Sequence, residues 1–472
     1  MADLKRIFSL IPEVKKPEEK KLGFNTKLKW TLIILISFFV LANIPLFGLS
    51  QNSLSRFEYL AIILGTDFGS IISLGIGPIV MASIILQLLT GAGVLGIDTT
   101  TTEGKKFFQG LQKLLVFFFI IFEASIYVLM QGLQANPGLA PLVIGQLILG
   151  GLAIFYMDEV TQKWGFGSGV SLFIGAGVSW RLIASAFQFI NDQGKNCLFN
   201  FGTTSCSGKV LVMIQSIISN PPDQIGFLSA LAAVLATVVI FLIVVWAQSL
   251  KVEIPLSFGR IRGYGIKWPL AFFYSSVIPV ILTAALVANV QLFGGLVQNW
   301  AGHPTILGNF VNGQAVCDKT GCGLAYWMGG ASTGLFELII RQSYTNMLLL
   351  QGLTHILFYM FLAILFSVFW VKTSGMDAKS QAHNIASSGL QVSGFRQDER
   401  VLETILERYI MPLTVMGGAA IGLLAATTDL LGAIVSGTSI LLVIMIMYQF
   451  YQNIAQQHAV DMNPIMKKFM GG

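Results

Sequence analysis

The apolar residues of this chain fall into long runs that are separated by polar or charged segments. Ten runs are long enough to cross a membrane, because a spanning helix needs about 20 apolar residues. The predicted spans are residues 30–49, 72–91, 111–131, 139–157, 168–190, 226–249, 268–293, 352–371, 409–427 and 430–452. Signals for strands are scarce. The pattern therefore predicts an all-α polytopic membrane protein with ten transmembrane helices.

The composition excludes the main alternatives to a membrane protein. Of the 472 residues, 54% are apolar and 11% are charged, whereas a soluble domain has roughly 25% charged residues. A soluble protein could not cover so much apolar surface, and a disordered chain has low hydrophobicity and high net charge. The first long apolar run begins at Trp30 without a small-residue cleavage pattern, so we expect no cleavable signal peptide.

The residues before the first span favour a short surface helix. Leu4, Ile7 and Ile11 recur at helical spacing, and Lys5 and Arg6 lie opposite them. This pattern predicts an amphipathic helix on the membrane surface. A basic tail without fixed structure is the alternative.

The distribution of positive charge assigns the two sides of the membrane. With the N-terminus in the cytoplasm, the inner segments hold 23 Lys and Arg residues and the outer segments hold five. This asymmetry obeys the positive-inside rule and predicts that both termini are cytoplasmic. The chain then divides into an N-terminal segment 1–29, a first half 30–190, an outer loop 191–225, a second half 226–455 and a tail 456–472. Inside the second half are cytoplasmic loops at 250–267 and 372–408 and an outer loop at 294–351.

All four cysteines fall in segments assigned to the outer side, where disulfides persist. Cys197 and Cys206 lie in one loop, and Cys317 and Cys322 lie in another. Four cysteines allow three pairings, and the two local pairs, which we predict, close the shortest loops. Four free thiols are the alternative. No four-ligand zinc set occurs near them, so we expect no metal.

The two halves share short motifs at corresponding positions. The fifth span begins Ser168-Gly169-Val170-Ser171, and the tenth contains Ser436-Gly437-Thr438-Ser439. The second and seventh spans each contain a proline followed by two apolar residues, at Pro78 and Pro279. Because neighbouring spans run in opposite directions, the second and seventh spans are inverted relative to each other. The repeat therefore predicts two inverted five-helix halves.

Charged residues are rare inside the predicted spans. Away from the span ends, only Glu123 and Arg181 carry a charge. An ion-coupled transporter places ionisable groups along its path, so their scarcity favours a pore closed by apolar side chains, which can exclude water. A secondary transporter built from inverted repeats remains the alternative. No Walker, zinc-protease or nucleophile-elbow motif occurs, which argues against an enzyme.

Four motifs in combination resemble the SecY family. They are residues 74–80 (Leu-Gly-Ile-Gly-Pro-Ile-Val), residues 167–174, residues 278–282 and Gly394-Phe395-Arg396. The resemblance extends along nearly the whole chain and is closer to the archaeal and eukaryotic branch than to the bacterial one. It implies the large subunit of the Sec protein-conducting channel. In that family, two five-helix halves form a clamshell around an hourglass pore.

The resemblance also implies an apolar ring at the narrowest part of the pore. Aligned motif by motif, the ring consists of Ile76, Val80, Val170, Ile174, Ile278, Ile281 and Leu442. The segment 57–66 is then a plug on the outer side of the ring. Its apolar and aromatic residues are Phe57, Tyr59, Leu60, Ile62, Ile63 and Leu64. Ordinary helix packing is the alternative role for the ring residues.

A lateral gate between the second and seventh spans is implied in the same way. Polar residues near such a gate come from the second, third and seventh spans, and Glu123 and Asn289 match this pattern. Met81 departs from it, because a polar residue is often found at that position. The alternative for Glu123 is a buried acid that is bonded to a neighbouring helix.

The cytoplasmic loops after the sixth and eighth spans are the docking sites in this family. The first loop contains Lys251, Arg260 and Arg262, and the second contains Arg396 and Arg400. Arg260 and Arg262 alternate with apolar residues between glycines, which predicts a hairpin-like tip. Guanidinium groups suit bidentate contacts with phosphate. The alternative is that these charges only set the topology.

The resemblance implies several partners for this chain. Two are small single-span proteins, a SecE-type subunit and a smaller third subunit. A ribosome or an ATPase motor would bind on the cytoplasmic side, and signal sequences, nascent polypeptides and the lipid bilayer would contact the channel itself. We expect a passive channel in the plasma membrane, which is not an enzyme and needs no cofactor.

Overall fold

The computed structural model describes residues 12–18, 22–52, 66–97, 101–190, 196–197, 206–218, 222–258, 265–275, 277–311, 313–317, 321–330, 334–342, 345–387, 390–392 and 398–462. The helices are α1 (Phe24–Ala42), α2 (Gly77–Gly91), α3 (Thr102–Leu129), α4 (Ala140–Trp164), α5 (Gly169–Phe187), α6 (Lys209–Ile218), α7 (Gln224–Ser249), α8 (Ile278–Ala301), α9 (Leu324–Met328), α10 (Leu335–Ile340), α11 (Asn346–Thr373), α12 (Ala378–Ser387), α13 (Glu399–Leu431) and α14 (Gly437–Met462). The strands are β1 (Leu49–Asn52), β2 (Leu133–Ala135), β3 (Lys251–Phe258), β4 (Gly265–Ala271), β5 (Asn309–Val311), β6 (Gln314–Val316) and β7 (Leu390–Val392).

Each predicted span contains a helix. Among the described residues, nine helical segments are long and apolar enough to cross a membrane. The predicted second span corresponds to α2, which has only 15 residues. It starts late because Gly75 has a φ of 54°, which ordinary residues avoid, and because Pro78 suits a first helical turn. The polytopic helical fold is therefore confirmed.

The predicted start of the seventh span is wrong. Residues 265–271 form β4, and α8 begins only at Ile278, with Pro279 in its first turn. An apolar run alone does not distinguish a buried strand from the start of a helix. The predominantly helical fold agrees with the prediction, and within the described residues the connecting segments add three small sheets that the pattern did not indicate.

Two helices extend beyond their predicted spans and carry acidic residues that the spans left out. Asp158 and Glu159 lie in α4 and are buried, and Asp429 lies in α13. Besides Glu123 and Arg181, which are the charged residues expected within the spans, the longer helices therefore carry these three acids close to the span ends. Buried charged groups in a membrane bundle require partners, and these partners are described below.

Small residues allow the helices of the second half to pack closely. Helices α11 and α13 run against each other along much of their length. A Cβ atom on Gly422 would lie 2.7 Å from Cα of Met360, and one on Gly418 would lie 2.7 Å from Oγ of Ser367. Membrane helices gain their association energy from such close contact, since lipid is as apolar as their side chains.

The two predicted docking loops form one sheet. Strand β3 is central, with β4 antiparallel on one side and β7 on the other. Leu256 pairs with Ile266 in β4 and with Val392 in β7. Ile254 and Leu270 belong to a separate apolar cluster with residues of α12 and α13. The strands that flank the predicted hairpin are thus present, whereas its tip at 259–264 lies outside the described residues.

The residues before α1 are attached to the ends of α3 and α4 by an ion cluster. Glu13 lies 2.8 Å from Nζ of Lys113 and 3.0 Å from Nζ of Lys163, and Glu159 pairs with the same two lysines at 2.7 and 3.1 Å. The Val14 N–H also donates to Glu159 at 3.0 Å. The predicted amphipathic helix at residues 4–11 lies outside the described residues.

The structure pairs the cysteines locally. Cys197 and Cys206 form a disulfide with a Cα–Cα distance of 5.4 Å, and Cys317 and Cys322 form another with a Cα–Cα distance of 4.4 Å. The first pair is buried beside the end of α5, where the Cys197 N–H donates to the Phe189 carbonyl at 2.9 Å. Both pairs close short loops.

We predict that non-reducing peptide mapping recovers the linked pairs Cys197–Cys206 and Cys317–Cys322. Closing a short loop removes chain entropy from the unfolded state, which stabilises the fold by roughly 2–3 kcal/mol per bond. Reduction before digestion is the control and should release all four thiols. Recovery of four alkylatable thiols from protein that was never reduced would contradict the prediction.

The Glu13 ion cluster predicts a pH-dependent attachment of the N-terminal segment. Hydrogen bonds from Lys113 and Lys163 lower the pKa of Glu13 from 4.5 to about 2. A depressed pKa favours the attached state above pH 4.5, and this contribution is lost as the pH falls from 4.5 towards 2. A nitroxide label on K16C should therefore become mobile in that window. Glu13→Gln should raise the label's mobility at pH 7 and reduce its pH dependence.

Glu18→Gln is the matched control, because Glu18 is exposed and, within the described part of the chain, pairs with its neighbour Lys15 at 3.3 Å. Its mobility profile should follow that of the wild type. An unchanged profile for Glu13→Gln would show that the ion cluster does not hold the segment.

Candidate functional site

The seven predicted ring residues lie on or beside four helices that form a chain of contacts. Helix α2 contacts α8, α8 contacts α14, and α14 contacts α5. Ile76 directly precedes α2, and the other six residues lie within the four helices. Helices that are far apart in sequence are therefore brought around one region of the bundle.

The ring residues share one apolar cluster. Ile76, Ile174 and Leu442 are fully buried, Val80 and Ile281 are nearly so, and Val170 and Ile278 are half-buried at the edge of the cluster. Burial alone suits helix packing as well as a constriction. Open space also lies beside several of these side chains.

A cavity of about 460 Å³ opens onto four of the ring residues, namely Val80, Val170, Ile278 and Ile281. These residues come from three different helices. Polar groups make up much of the remaining wall: Ser83, Gln87, Gln109, Gln112, Asp158, Gln162 and Ser171. The wall of this cavity therefore combines apolar ring residues with polar side chains from neighbouring helices, and we refer to the cavity as the funnel.

The polar side chains of the funnel are held by hydrogen bonds. Gln112 of α3 donates to Ser83 of α2 at 2.7 Å, and Gln162 donates to Asp158 within α4 at 2.8 Å. Both pairs fix polar side chains in the wall of the cavity.

The predicted gate helices lie side by side. Helix α2 contacts both α3 and α8, which are the helices that carry Glu123 and Asn289. Met81 is half-buried on α2. Asn289 is buried, and its Nδ2 donates to the Ala285 carbonyl of its own helix at 2.8 Å. The three positions thus belong to adjoining helices, as the gate requires.

Glu123 is fully buried against the first turn of α2. A Cβ atom on Gly77 would lie 3.0 Å from its Oε2, and neither carboxylate oxygen has a hydrogen-bond partner within the described part of the chain. The N-terminus of a helix attracts negative charge, which accounts for an acid at this place. The acid therefore lies against a neighbouring helix but is not bonded to Asn289 there.

A second cavity, of about 720 Å³, lies towards the other end of α8, and its lining comes only from residue 209 onwards. None of the seven predicted ring residues lines it. The buried polar residues Gln291, Gln351 and His355 face it, together with Asp429. His355 Nδ1 lies 2.8 Å from the Met328 carbonyl, and its Nε2 lies 3.5 Å from Oδ2 of Asp429. Sequence reasoning missed this group, although a histidine within an apolar span was a usable signal.

The predicted docking residues are only partly described. Lys251 begins β3 and is exposed, and Arg400 is exposed in the first turn of α13, where its N–H donates to Asp398 at 3.0 Å. Arg260, Arg262 and Arg396 lie outside the described residues. So do all six named plug residues.

Comparison with known proteins assigns the family. The SecY family model matches residues 70–451. A protein translocase subunit SecY from Methanothermobacter thermautotrophicus is 42% identical over 471 residues, covering 98% of each chain. A solved structure of a protein conducting channel has a TM-score of 0.80 at 36% identity, and Sec61 in the canine ribosome-channel complex from the endoplasmic reticulum has 0.77 at 35% identity. Each covers 98% of both chains.

The resemblance drawn from four short motifs is therefore confirmed over nearly the full length of the chain. The relatives share its helical fold as well as its sequence. Together, the fold, the apolar cluster with its funnel and the full-length similarities establish that this chain belongs to the SecY family.

Proposed function

We propose that this chain is the central, pore-forming subunit of a Sec translocon. It passes secretory polypeptides across the membrane and releases membrane spans sideways into lipid. The observation that carries this proposal is the funnel, in whose wall polar side chains adjoin apolar residues of three helices, Val80 on α2, Val170 on α5, and Ile278 and Ile281 on α8. A polypeptide needs polar contacts on the way in and a tight apolar passage at the narrowest point.

The ring acts as a seal because a narrow apolar neck is costly to wet. Its side chains have no polar atoms to bind a translocating peptide, so they close around the peptide without holding it. The mechanism includes no covalent step and is passive. The driving energy comes from the partner, and the chain itself is not an enzyme.

The lateral gate lies between α2 and α8. Its opening separates these two helices and exposes the ring region to lipid. Glu123 supports this assignment, because its carboxylate packs against Gly77 in the first turn of α2. Movement of α2 changes the surroundings of that buried acid, whereas Asn289 stays bonded to its own helix.

The plug at residues 57–66 joins two anchored segments. β1 before it pairs with β2, and at its end the Thr66 hydroxyl donates to the Ile72 carbonyl at 2.6 Å. Ile72 lies four residues before Ile76 of the ring. A short segment fixed at both ends in this way can cover the outer side of the pore.

The docking surface is the β4–β3–β7 sheet with its loop tip. This sheet supports the proposal because it unites the two basic cytoplasmic loops, and a relative of known structure belongs to a ribosome-channel complex. We propose a ribosome as the cytoplasmic partner, with a SecE-type subunit and a third small subunit in the membrane. The 23-to-5 asymmetry of positive charge supports cytoplasmic termini in the plasma membrane.

We predict that Ile76→Asn combined with Ile278→Asn makes the idle channel leak ions in planar bilayers. Each change replaces an apolar side chain whose burial is worth roughly 1.5–3 kcal/mol, so the neck becomes easier to wet. The conductance of the idle channel should rise by about tenfold or more, since about 1.4 kcal/mol changes a population tenfold.

Ile33→Asn combined with Ile36→Asn is the matched control, because both residues are exposed on the outer face of α1. This variant should conduct no more than the wild type. If the two double variants behave alike, the ring residues serve helix packing only.

We predict that Arg260→Glu combined with Arg262→Glu weakens ribosome binding without disturbing the membrane fold. If both arginines contact phosphate, the dependence of log affinity on log salt concentration should become shallower by roughly two, about one for each contact. Sedimentation with ribosomes over a salt series measures this change.

Lys209→Glu combined with Arg341→Glu reverses the same amount of charge on the predicted outer side. It should leave both the affinity and the salt dependence as in the wild type. Equal ribosome binding by the loop variant and the wild type at moderate salt would exclude the tip as a docking site.

A further inference from the structure

The repeated Ser-Gly-x-Ser motif receives the same contact in both halves of the molecule. In the first half, the Val170 N–H donates to Oδ1 of Asp158 at 3.0 Å. In the second half, the Thr438 N–H donates to Oδ1 of Asp429 at 2.7 Å. Each aspartate lies near the end of the preceding helix, α4 or α13. A carboxylate from the preceding helix therefore caps the helix that follows in each half.

The glycine of the motif makes this contact possible. A Cβ atom on Gly169 would lie 2.6 Å from Cα of Asp158, and one on Gly437 would collide with the backbone of Thr428. Any side chain at either position would push the start of the helix away from the carboxylate. Both glycines are therefore required for close approach.

The first N–H groups of a helix have no partner within the helix and need a cap. In a membrane protein an unsatisfied N–H is costly, because lipid offers no acceptor. A carboxylate is a suitable cap, since it also meets the positive end of the helix dipole. Ser168 adds only a long contact of 3.5 Å to the Ser171 N–H, so the aspartate is the stronger acceptor for α5.

The contacts of Asp158 with α5 and of Asp429 with α14, which we call the Asp158 clamp and the Asp429 clamp, lie at opposite ends of the pair formed by α5 and α14. A Cβ on Gly167, just before α5, would lie 3.9 Å from Phe450 and Asn453, and one on Gly175 would lie 3.3 Å from Ile446. Later residues of α5 therefore contact earlier residues of α14, which means that the two helices are antiparallel. The Asp158 clamp holds one end of this pair and the Asp429 clamp holds the other, as an inverted repeat requires.

Both clamped helices carry ring residues close to the clamp. Val170 is itself the donor to Asp158, and Ile174 lies one turn later. Leu442 lies one turn after Thr438 in α14. Resting on the proposed function, we infer that Asp158 and Asp429 are positioning residues that fix α5 and α14 where their ring side chains close the pore.

Each carboxylate has a second partner that holds it in place. Oδ2 of Asp158 accepts from Gln162 at 2.8 Å. Oδ2 of Asp429 accepts from the Thr438 hydroxyl and lies 3.5 Å from His355. Both aspartates are therefore fixed in orientation rather than free to turn away from the helix they cap.

The test compares Asp158→Ala and Asp429→Ala with Asp158→Asn and Asp429→Asn in planar bilayers. The alanine variants lose the acceptor and should raise the idle ion conductance roughly five- to tenfold, in line with the loss of a helix cap. The asparagine variants keep an oxygen at the same place and should recover most of the seal. If the aspartates acted only through their negative charge, the neutral amide of asparagine would not restore the seal.

Asp223→Ala is the matched control. Asp223 caps α7 through the Gly226 N–H at 3.0 Å, but α7 carries no predicted ring residue, so its loss should not cause a leak. If Asp158→Ala does not assemble, Asp158→Glu keeps the charge and displaces the acceptor, and the same leak is expected. Hydrogen exchange at the first turns of α5 and α14 should be faster in each leaking clamp variant.

The double variant Ile76→Asn, Ile278→Asn separates this inference from the proposed function. If the ring double variant leaks while both alanine clamp variants stay sealed, the positioning role of the two aspartates is wrong and the assignment of the ring is upheld. If neither the ring double variant nor the clamp variants leak, the assignment of the ring and the positioning role of the aspartates are both contradicted. Leakage of the clamp variants with faster exchange and rescue by asparagine upholds the inference.

Discussion

Inside a bilayer, the backbone N–H and C=O groups of this chain find partners only within the protein. That constraint explains why the long apolar runs become helices and why the strands lie in the connecting segments. It also governs the one buried stretch before α2 that is not helical. There, Ser73 donates to the Ser70 carbonyl at 2.5 Å, and the Ile71 N–H donates to Ile44 at 3.0 Å. Hydroxyl groups and neighbouring backbone thus replace the missing helical bonds directly ahead of Ile76.

The spans were predictable because run length and charge asymmetry are properties of the sequence alone. The predictions failed where one apolar composition is compatible with both a strand and a helix. The apolar residues before Ile278 include β4, and only pairing with Lys251–Phe258 makes them a strand. Strand β7 has three residues and is stabilised by β3, which comes more than 130 residues earlier. A local pattern cannot report such a distant partner.

The motifs anticipated that the seven predicted ring residues lie in one apolar cluster, whereas the surroundings of these residues were not predictable. The polar sides of the funnel come from α2, α3, α4 and α5, and their common orientation depends on helix packing. The clamps were hidden for a related reason. Asp158 lies 12 residues before Val170, whereas Asp429 lies nine residues before Thr438. Because the two separations differ, a comparison of the two halves of the sequence does not reveal that both aspartates make the same contact. The Ser-Gly-x-Ser repeat was visible, but its acceptors were not.

The β4–β3–β7 sheet and helix α8 are joined by a short connector that is itself anchored by hydrogen bonds. β4 ends at Ala271, and α8 begins seven residues later at Ile278. Within this connector, the Tyr274 hydroxyl donates to the Met376 carbonyl at 2.7 Å, and Ser275 lies 3.0 Å from Ser367. These contacts tie the base of the sheet to α11 and its following turn. Since α8 carries two predicted ring residues and contacts α2, these contacts link the sheet to one side of the proposed pore, whereas the starts of α5 and α14 are each held by an aspartate of the preceding helix.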